Sequence, residues 1–314
     1  MTTEHQPNLA HHPVVSEKEW QTAARDLLKQ EKELTRARDE LARRRRALPW
    51  VKVTKPYTFD TSEGKKTLAD LFEGRSQLIV QHFMFAPEWD EGCSGCSFMA
   101  DGVDGARQHF NHNDVTYVAI SRAPLPKLLA YRQRMGWTFP WASSGDGDFN
   151  YDFHASFRPE ELKTGHVTYN YNDHHETKMA DLPGCSVFYK DAQGQVFHTY
   201  SMYGRGTEAV MSTYPFLDML PKGRAENGPG HNMGDWMRHH DKYEAADAHA
   251  CCGGPAPVLD QAAKSACGCD HDHEHEHEHH EHHEHHDHKH GHDHDHHHHE
   301  ATPPVKPRIG NQDR

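Results

Sequence analysis

The chain has 314 residues, 35% of them hydrophobic, and a mean hydropathy of −0.97, so it is long enough for one large or two modest domains while part of it must stay solvated. Its formal charge is −13, but eleven acids and one lysine between Asp270 and Glu300 supply −10 of that, leaving about −3 elsewhere, so net charge singles out no cationic partner for the body. No apolar run approaches the roughly eighteen residues of a membrane span, and MTTEHQPNLAHHPVV lacks the basic and apolar regions of a signal peptide; the expectation is a cytoplasmic protein with no membrane partner and mostly reduced cysteines.

The first expected element is a long amphipathic helix within residues 14–48. Ser16 followed by Glu19 spells a capping box, Trp20, Ala24, Leu27, Leu34 and Leu41 recur at helical spacing, and Pro49 ends the run. The RRRR stretch at 43–46 falls on the last turns, where cations complement the helix dipole. Without an aromatic platform or a second basic cluster it does not indicate nucleic acid. Such a helix can pack on its own domain or join two copies as a homodimer.

From residue 49 to 244 strand and helix patterns alternate. VKVTKPYTFDT reads as a strand and turn, and KTLADLF as a short helical turn. QLIVQHFMF, 77–85, and VTYVAIS, 115–121, are apolar runs of buried-strand length. Between them a Cys-x-x-Cys pair, Cys93 and Cys96, opens a helix-length segment reaching Phe110; PKLLAYRQRMG is a helix stopped at Gly136. Strand, Cys pair, helix, strand, helix calls for a parallel βαβ core and an α/β fold with a central sheet. GCSVFYKDAQGQVFHTYSMY is a β-hairpin turning at DAQG, with Pro183 just before its first strand. Past residue 245 the patterns fade into a Cys/His-rich tail, 245–314, expected to be disordered.

A Cys pair between a buried strand and a helix has a physical logic. The helix N-terminus offers free N–H groups that stabilise a thiolate, so Cys93 can attack a disulfide and Cys96, one turn on, can resolve the mixed disulfide. The lead-in Glu88, Asp90, Glu91 acts the other way, since nearby carboxylates raise a thiol pKa.

FMF at 83–85, CSGCS at 93–97, DFNYDFHASF at 148–157, PGCSVFYKD at 183–191, FHTYSMYGRG at 197–206 and PKGR at 221–224 together resemble a bacterial family of unknown function, domain of unknown function 899. The resemblance covers about residues 14 to 244. It implies a thioredoxin-like fold related to peroxiredoxins, with Cys93 and Cys96 as the thiol pair and Pro183 as the cis-proline opposite them. Peroxiredoxins place Thr or Ser three residues and Pro seven residues before the peroxide-attacking Cys. Those positions hold Asp90 and Ala86 before Cys93, and Cys93 and Trp89 before Cys96, which disfavours peroxidase activity.

Two thiols also suit Cu(I), as in copper-insertion proteins of thioredoxin fold that add a distant His. Candidates for such a role are His82, His166, His174, His175 and His198, with Cys185 as a third sulfur if Pro183 faces the pair. Each has a plainer reading: His82 as a hydrogen-bonded core residue, His198 as a strand residue, Cys185 as a small buried side chain. Structural zinc would need two further ligands at short spacing, and the adjacent pairs at 174–175 and 239–240 do not provide it.

The tail is explicit in its chemistry. Eighteen histidines, His271, His273, His275, His277, His279, His280, His282, His283, His285, His286, His288, His290, His292, His294, His296, His297, His298 and His299, are interleaved with acids, and Cys251, Cys252, Cys267 and Cys269 stand just upstream. Dense imidazole suits Zn(II), Ni(II) and Cu(II), and paired thiols suit Cu(I) or Zn(II). Three functions follow as expectations. The first is a thiol-disulfide oxidoreductase acting on a disulfide-containing protein or small thiol, with no obligatory cofactor and a metal-binding tail. The second is a copper-binding, metallochaperone or metal-buffering protein with a metal-delivery partner, and the third a non-catalytic interaction module.

Overall fold

A computed structural model describes residues 9–243, and the tail at 245–314 lies outside them. The chain divides into two units, Met1–Gly254 and Pro255–Arg314, of which the second falls wholly outside the described residues. No helix among the described residues is long and apolar enough to cross a membrane.

The first helix, α1, is Glu17–Arg46. Its capping box is built as the sequence spells it: the Glu19 N–H donates to Ser16 Oγ at 3.4 Å and the Ser16 N–H donates to the Glu19 carboxylate at 3.0 Å. None of its residues is buried. After it come β1 (Val51–Lys52), β2 (Thr58–Thr61), β3 (Gly64–Thr67) and β4 (Gln77–His82). Helices α2 (Ser94–Asp104) and α3 (Arg107–His112) lead to β5 (Val115–Ser121), α4 (Leu125–Arg134) and β6 (Trp141–Ser143). Short helices α5 (Phe149–Asp152) and α6 (Pro159–Lys163) precede the ribbon of β7 (His166–Tyr169) and β8 (Asn172–Glu176). The hairpin β9 (Gly184–Lys190) and β10 (Val196–Tyr203) follows, then α7 (Thr213–Leu217).

Eight strands form one sheet in the order β1-β10-β9-β4-β5-β6-β2-β3. β4, β5 and β6 run parallel, while β9 is antiparallel to β4 and β10 to β9. The expected βαβ core and hairpin are both present, and β4, which leads to the Cys pair, is the strand of the core that borders the hairpin. Alternation along the central strands sorts side chains to two cores: Tyr117 and Ala119 of β5 join Phe83, Phe85, Tyr131 and Trp141, whereas Val118 and Ile120 join Leu78, Val80, Phe149 and Phe188. Burial on both faces is why these strands read as unbroken apolar runs.

Two local expectations are corrected. KTLADLF is not one helical turn, because Thr67 ends β3 and only Asp70–Phe72 coils into a 3-10 turn. The segment from the Cys pair to Phe110 is two helices, because the Asp104 carboxylate accepts from the Thr138 and Phe139 N–H groups, tying down the end of α2 before the chain turns at Gly105.

Candidate redox site

The loop after β4 folds back on the strand end, where the Cys93 N–H donates to the Met84 carbonyl at 3.0 Å. Gly92 permits the close approach: a Cβ there would stand 2.6 Å from the Phe83 ring, inside contact distance. Cys93 is the N-cap of α2, with φ −56° and ψ 131°, and its carbonyl accepts from the Ser97 N–H and Ser97 Oγ, both at 2.9 Å. Cys93 is half-buried, Cys96 is buried, and both are free thiols.

The two sulfurs are not equivalent. Cys93 is lowered from its ordinary 9.0 to about 7, first by a hydrogen bond from the Cys96 thiol and, against the cost of burial, by the N–H groups of Cys96 and Gly95 at the helix start. Cys96 is raised well above its ordinary value because it gives that bond and is buried, although the Met84 N–H donates to its sulfur at 3.5 Å. This arrangement favours the thiolate at Cys93 and the protonated thiol at Cys96. The expectation that Glu91 opposes the thiolate is corrected: Arg134 at 2.6 Å and Lys242 at 2.7 Å occupy its carboxylate, and it is not among the groups that shift Cys93.

A cavity of about 390 Å³ lies over the pair. Cys93, Cys96, Met99, Pro183, Gly184 and Met211 line it together with Arg205, Glu208, Glu226, His231, Asn232 and Met233. Pro183 therefore shares the cavity with the thiols, but the cis bond implied by the resemblance is corrected, since no peptide bond among the described residues is cis. The trans segment is held by its carbonyl, which accepts from the Tyr169 hydroxyl at 2.6 Å and the Gly204 N–H at 3.4 Å.

Sequence reading missed the cover of this cavity, residues 225–243. A Cβ on Gly95 would lie 3.4 Å from Met233 Sδ, 3.6 Å from Met237 Cε and 3.8 Å from Cys93 Sγ, so both methionines and the Cys93 sulfur gather around Gly95. His239 Nε2 bonds to the Gly92 carbonyl at 2.8 Å and His240 Nδ1 to Asp101 at 2.7 Å, strapping the segment across the start of α2. The only signal was the apolar Met233, Trp236 and Met237 after a Gly/Asn-rich turn, too short and irregular to show a period.

Of the other body candidates, His82 also borders the cavity over the thiols. Both ring nitrogens of His82 are engaged, Nδ1 with Asn150 Oδ1 at 2.9 Å and Nε2 with Ser186 Oγ at 2.8 Å, and burial pushes its pKa down to about 4. Ser186 Oγ reaches Ser201 Oγ at 2.7 Å, which meets His198 Nε2 at 2.7 Å, so a polar chain joins the two histidines inside the sheet. His198 borders a second cavity of about 590 Å³, not the one over the thiols. Cys185 packs among Met99, Met211 and Tyr214, and burial raises it to about 12. His166 and His174 meet across the β7–β8 ribbon with ring centroids 6.0 Å apart, and His175 leans on Tyr169. Among the described residues no group of three or more His, Cys, Asp or Glu side chains is arranged to hold a metal ion. The tail candidates lie outside the described residues.

A Cys-x-x-Cys at a helix start, flanked by a parallel strand on one side of β4 and an antiparallel hairpin on the other, defines a protein of thioredoxin-like fold with a dithiol site. The chain belongs to the family described as bacterial protein of unknown function (DUF899), whose model matches residues 9–243. No curated protein matches it. Among solved structures it is similar to peroxidoxin BcpB from Mycobacterium tuberculosis at 13% identity, covering 53% of this chain and 95% of that one with a TM-score of 0.36. It is also similar to peroxiredoxin Q from Xanthomonas campestris at 12% identity, covering 50% and 87% with a TM-score of 0.35.

Proposed function

We propose that the protein is a thiol-disulfide oxidoreductase acting on a disulfide-containing protein or small disulfide. The observation that carries this reading is the asymmetry of the pair, with Cys93 at the helix start biased toward thiolate and Cys96 held as a buried thiol. The Cys93 thiolate attacks a substrate disulfide R–S–S–R′, forming the Cys93–S–S–R bond and releasing R′S⁻, which takes up a proton. Cys96 then gives up its proton and attacks the Cys93 sulfur; the bond to R breaks and RS⁻ leaves. The substrate gains two electrons, the pair ends as a Cys93–Cys96 disulfide, and an external dithiol must reduce it for the next turn.

The apolar methionine and proline walls suit the carbon parts of such a substrate. Arg205, Glu208 and Glu226 at the cavity supply polar contacts. The tail is proposed, on composition alone, to bind Zn(II), Ni(II) or Cu(II) independently of the dithiol. In the test, Cys93→Ser loses disulfide reduction driven by dithiothreitol, while Cys185→Ser, whose thiol packs behind the Met99 and Met211 wall and does not line the cavity, retains it. Wild-type turnover by Cys93→Ser refutes the assignment.

A further inference from the structure

We propose that α1 is one strand of a parallel two-stranded coiled coil whose other strand is α1 of a second copy of this chain. A 30-residue helix runs for about 45 Å at 1.5 Å per residue, and helices of this kind draw most of their stability from burying an apolar face. Here no residue of it is buried: Trp20, Leu27, Leu34 and Leu41 are 60%, 56%, 52% and 47% exposed. Those four recur every seven residues, a coiled-coil period and not merely a helical one. With them at the first core position, Ala23, Gln30, Ala37 and Arg44 occupy the second. The two alanines let the backbones approach, Gln30 meets its own copy, and Arg44 at the seam's end reaches solvent.

Flanking charges choose the occupant and its direction. The positions preceding the apolar residues are Glu19, Asp26, Glu33 and Glu40, all acidic, and those following the second core position are Ala24, Glu31, Arg38 and Arg45. A parallel pair sets Glu33 against the second copy's Arg38, twice by symmetry, with Asp26 against Glu31 as the one repulsive match, while Glu40 stays with Arg43 of its own helix. An antiparallel pair lays the acidic strip along its own copy, four acids against four acids. The helix's C-terminal end is anchored on its own body, with the Arg45 guanidinium 5.3 Å from the Tyr200 ring centre and Trp50 packed on Tyr189 and Phe197. The rest of the stripe is left to a partner.

Sedimentation equilibrium of the full chain at tens of micromolar is expected to give twice the 36.0 kDa chain mass. Leu27→Glu combined with Leu34→Glu should give the single-chain mass while keeping disulfide reduction, since neither leucine supports the body. A wild-type chain that stays single at that concentration overturns the proposal, whether its own body or tail covers the stripe. Leu27→Cys under mild oxidation should join two copies through position 27, mapped by peptide mass because the chain has seven native cysteines. A dimer that persists in the double-glutamate variant, or that does not cross-link at position 27, equally overturns it. None of these outcomes bears on the thiol chemistry, which is read separately.

Discussion

Alkylation of Cys93 followed against pH probes the site most directly. At pH 7 a thiol with pKa about 7 is half thiolate, whereas one at the ordinary 9.0 is about one part in a hundred, a roughly fiftyfold difference in the reacting form. Intrinsic nucleophilicity falls with pKa along a Brønsted slope of about 0.4–0.5, so two units cost roughly six- to tenfold per thiolate. Cys93 should therefore react with iodoacetamide about five to eight times faster at pH 7 than an unperturbed thiol of equal access, with a midpoint near 7. The Cys96 thiol makes the largest contribution to that lowering, so Cys96→Ala should move the midpoint up. The assay is peptide mass spectrometry of the Cys93 fragment, which separates it from the other six cysteines. A wild-type midpoint at 8.5 or above, or one that Cys96→Ala leaves in place, refutes the reasoning.

His82 gives a pH signature of stability. Its folded pKa is depressed to about 4 from 6.5, so the unfolded chain binds the extra proton; the contribution is full above pH 6.5 and lost as pH falls through that window toward 4, about 3 kcal/mol in all. Urea unfolding of His82→Gln should show that much less pH dependence over the window than wild type, and equal slopes would contradict it. Asp181, buried and paired to Arg122 at 2.8 and 3.2 Å with Ser156 Oγ at 2.6 Å, should cost about 3–5 kcal/mol on Asp181→Leu, and less when Arg122→Met accompanies it. A single variant within 1 kcal/mol of wild type in the same unfolding assay argues against a buried pair of this weight. Gly92→Ala must push the Phe83 ring aside and should lose about 1–3 kcal/mol and slow Cys93 alkylation, because the loop that carries Cys93 shifts with it. A fully stable variant with unchanged alkylation would place no steric demand at Gly92.

Much of the architecture was legible because its causes are local. The Ser16/Glu19 box, the apolar run that is β5, the turn of the β9–β10 hairpin and the junction of strand and helix at Cys93 each depend on residues a few positions apart. The break between α2 and α3 was not legible, because it depends on Asp104 reaching Thr138 and Phe139 more than thirty residues away.

The site divides in the same way. Sequence alone determined that two thiols stand one turn apart after a buried strand, that a 30-residue helix carries a heptad of large apolar residues, and that a dense imidazole tract occupies residues 271–299, since these are facts of spacing and composition. Sequence position already set Cys93 at the helix start with Cys96 one turn on, and only tertiary structure decided that Cys96 is buried and gives its thiol hydrogen bond to Cys93. It also tied both His82 ring nitrogens into hydrogen bonds, drew Glu91 away to Arg134 and Lys242, and brought Met233 and Met237 against Gly95. Those outcomes arise from contacts between residues 43 to 151 positions apart, and no local pattern in a chain encodes how its distant parts will share one cavity.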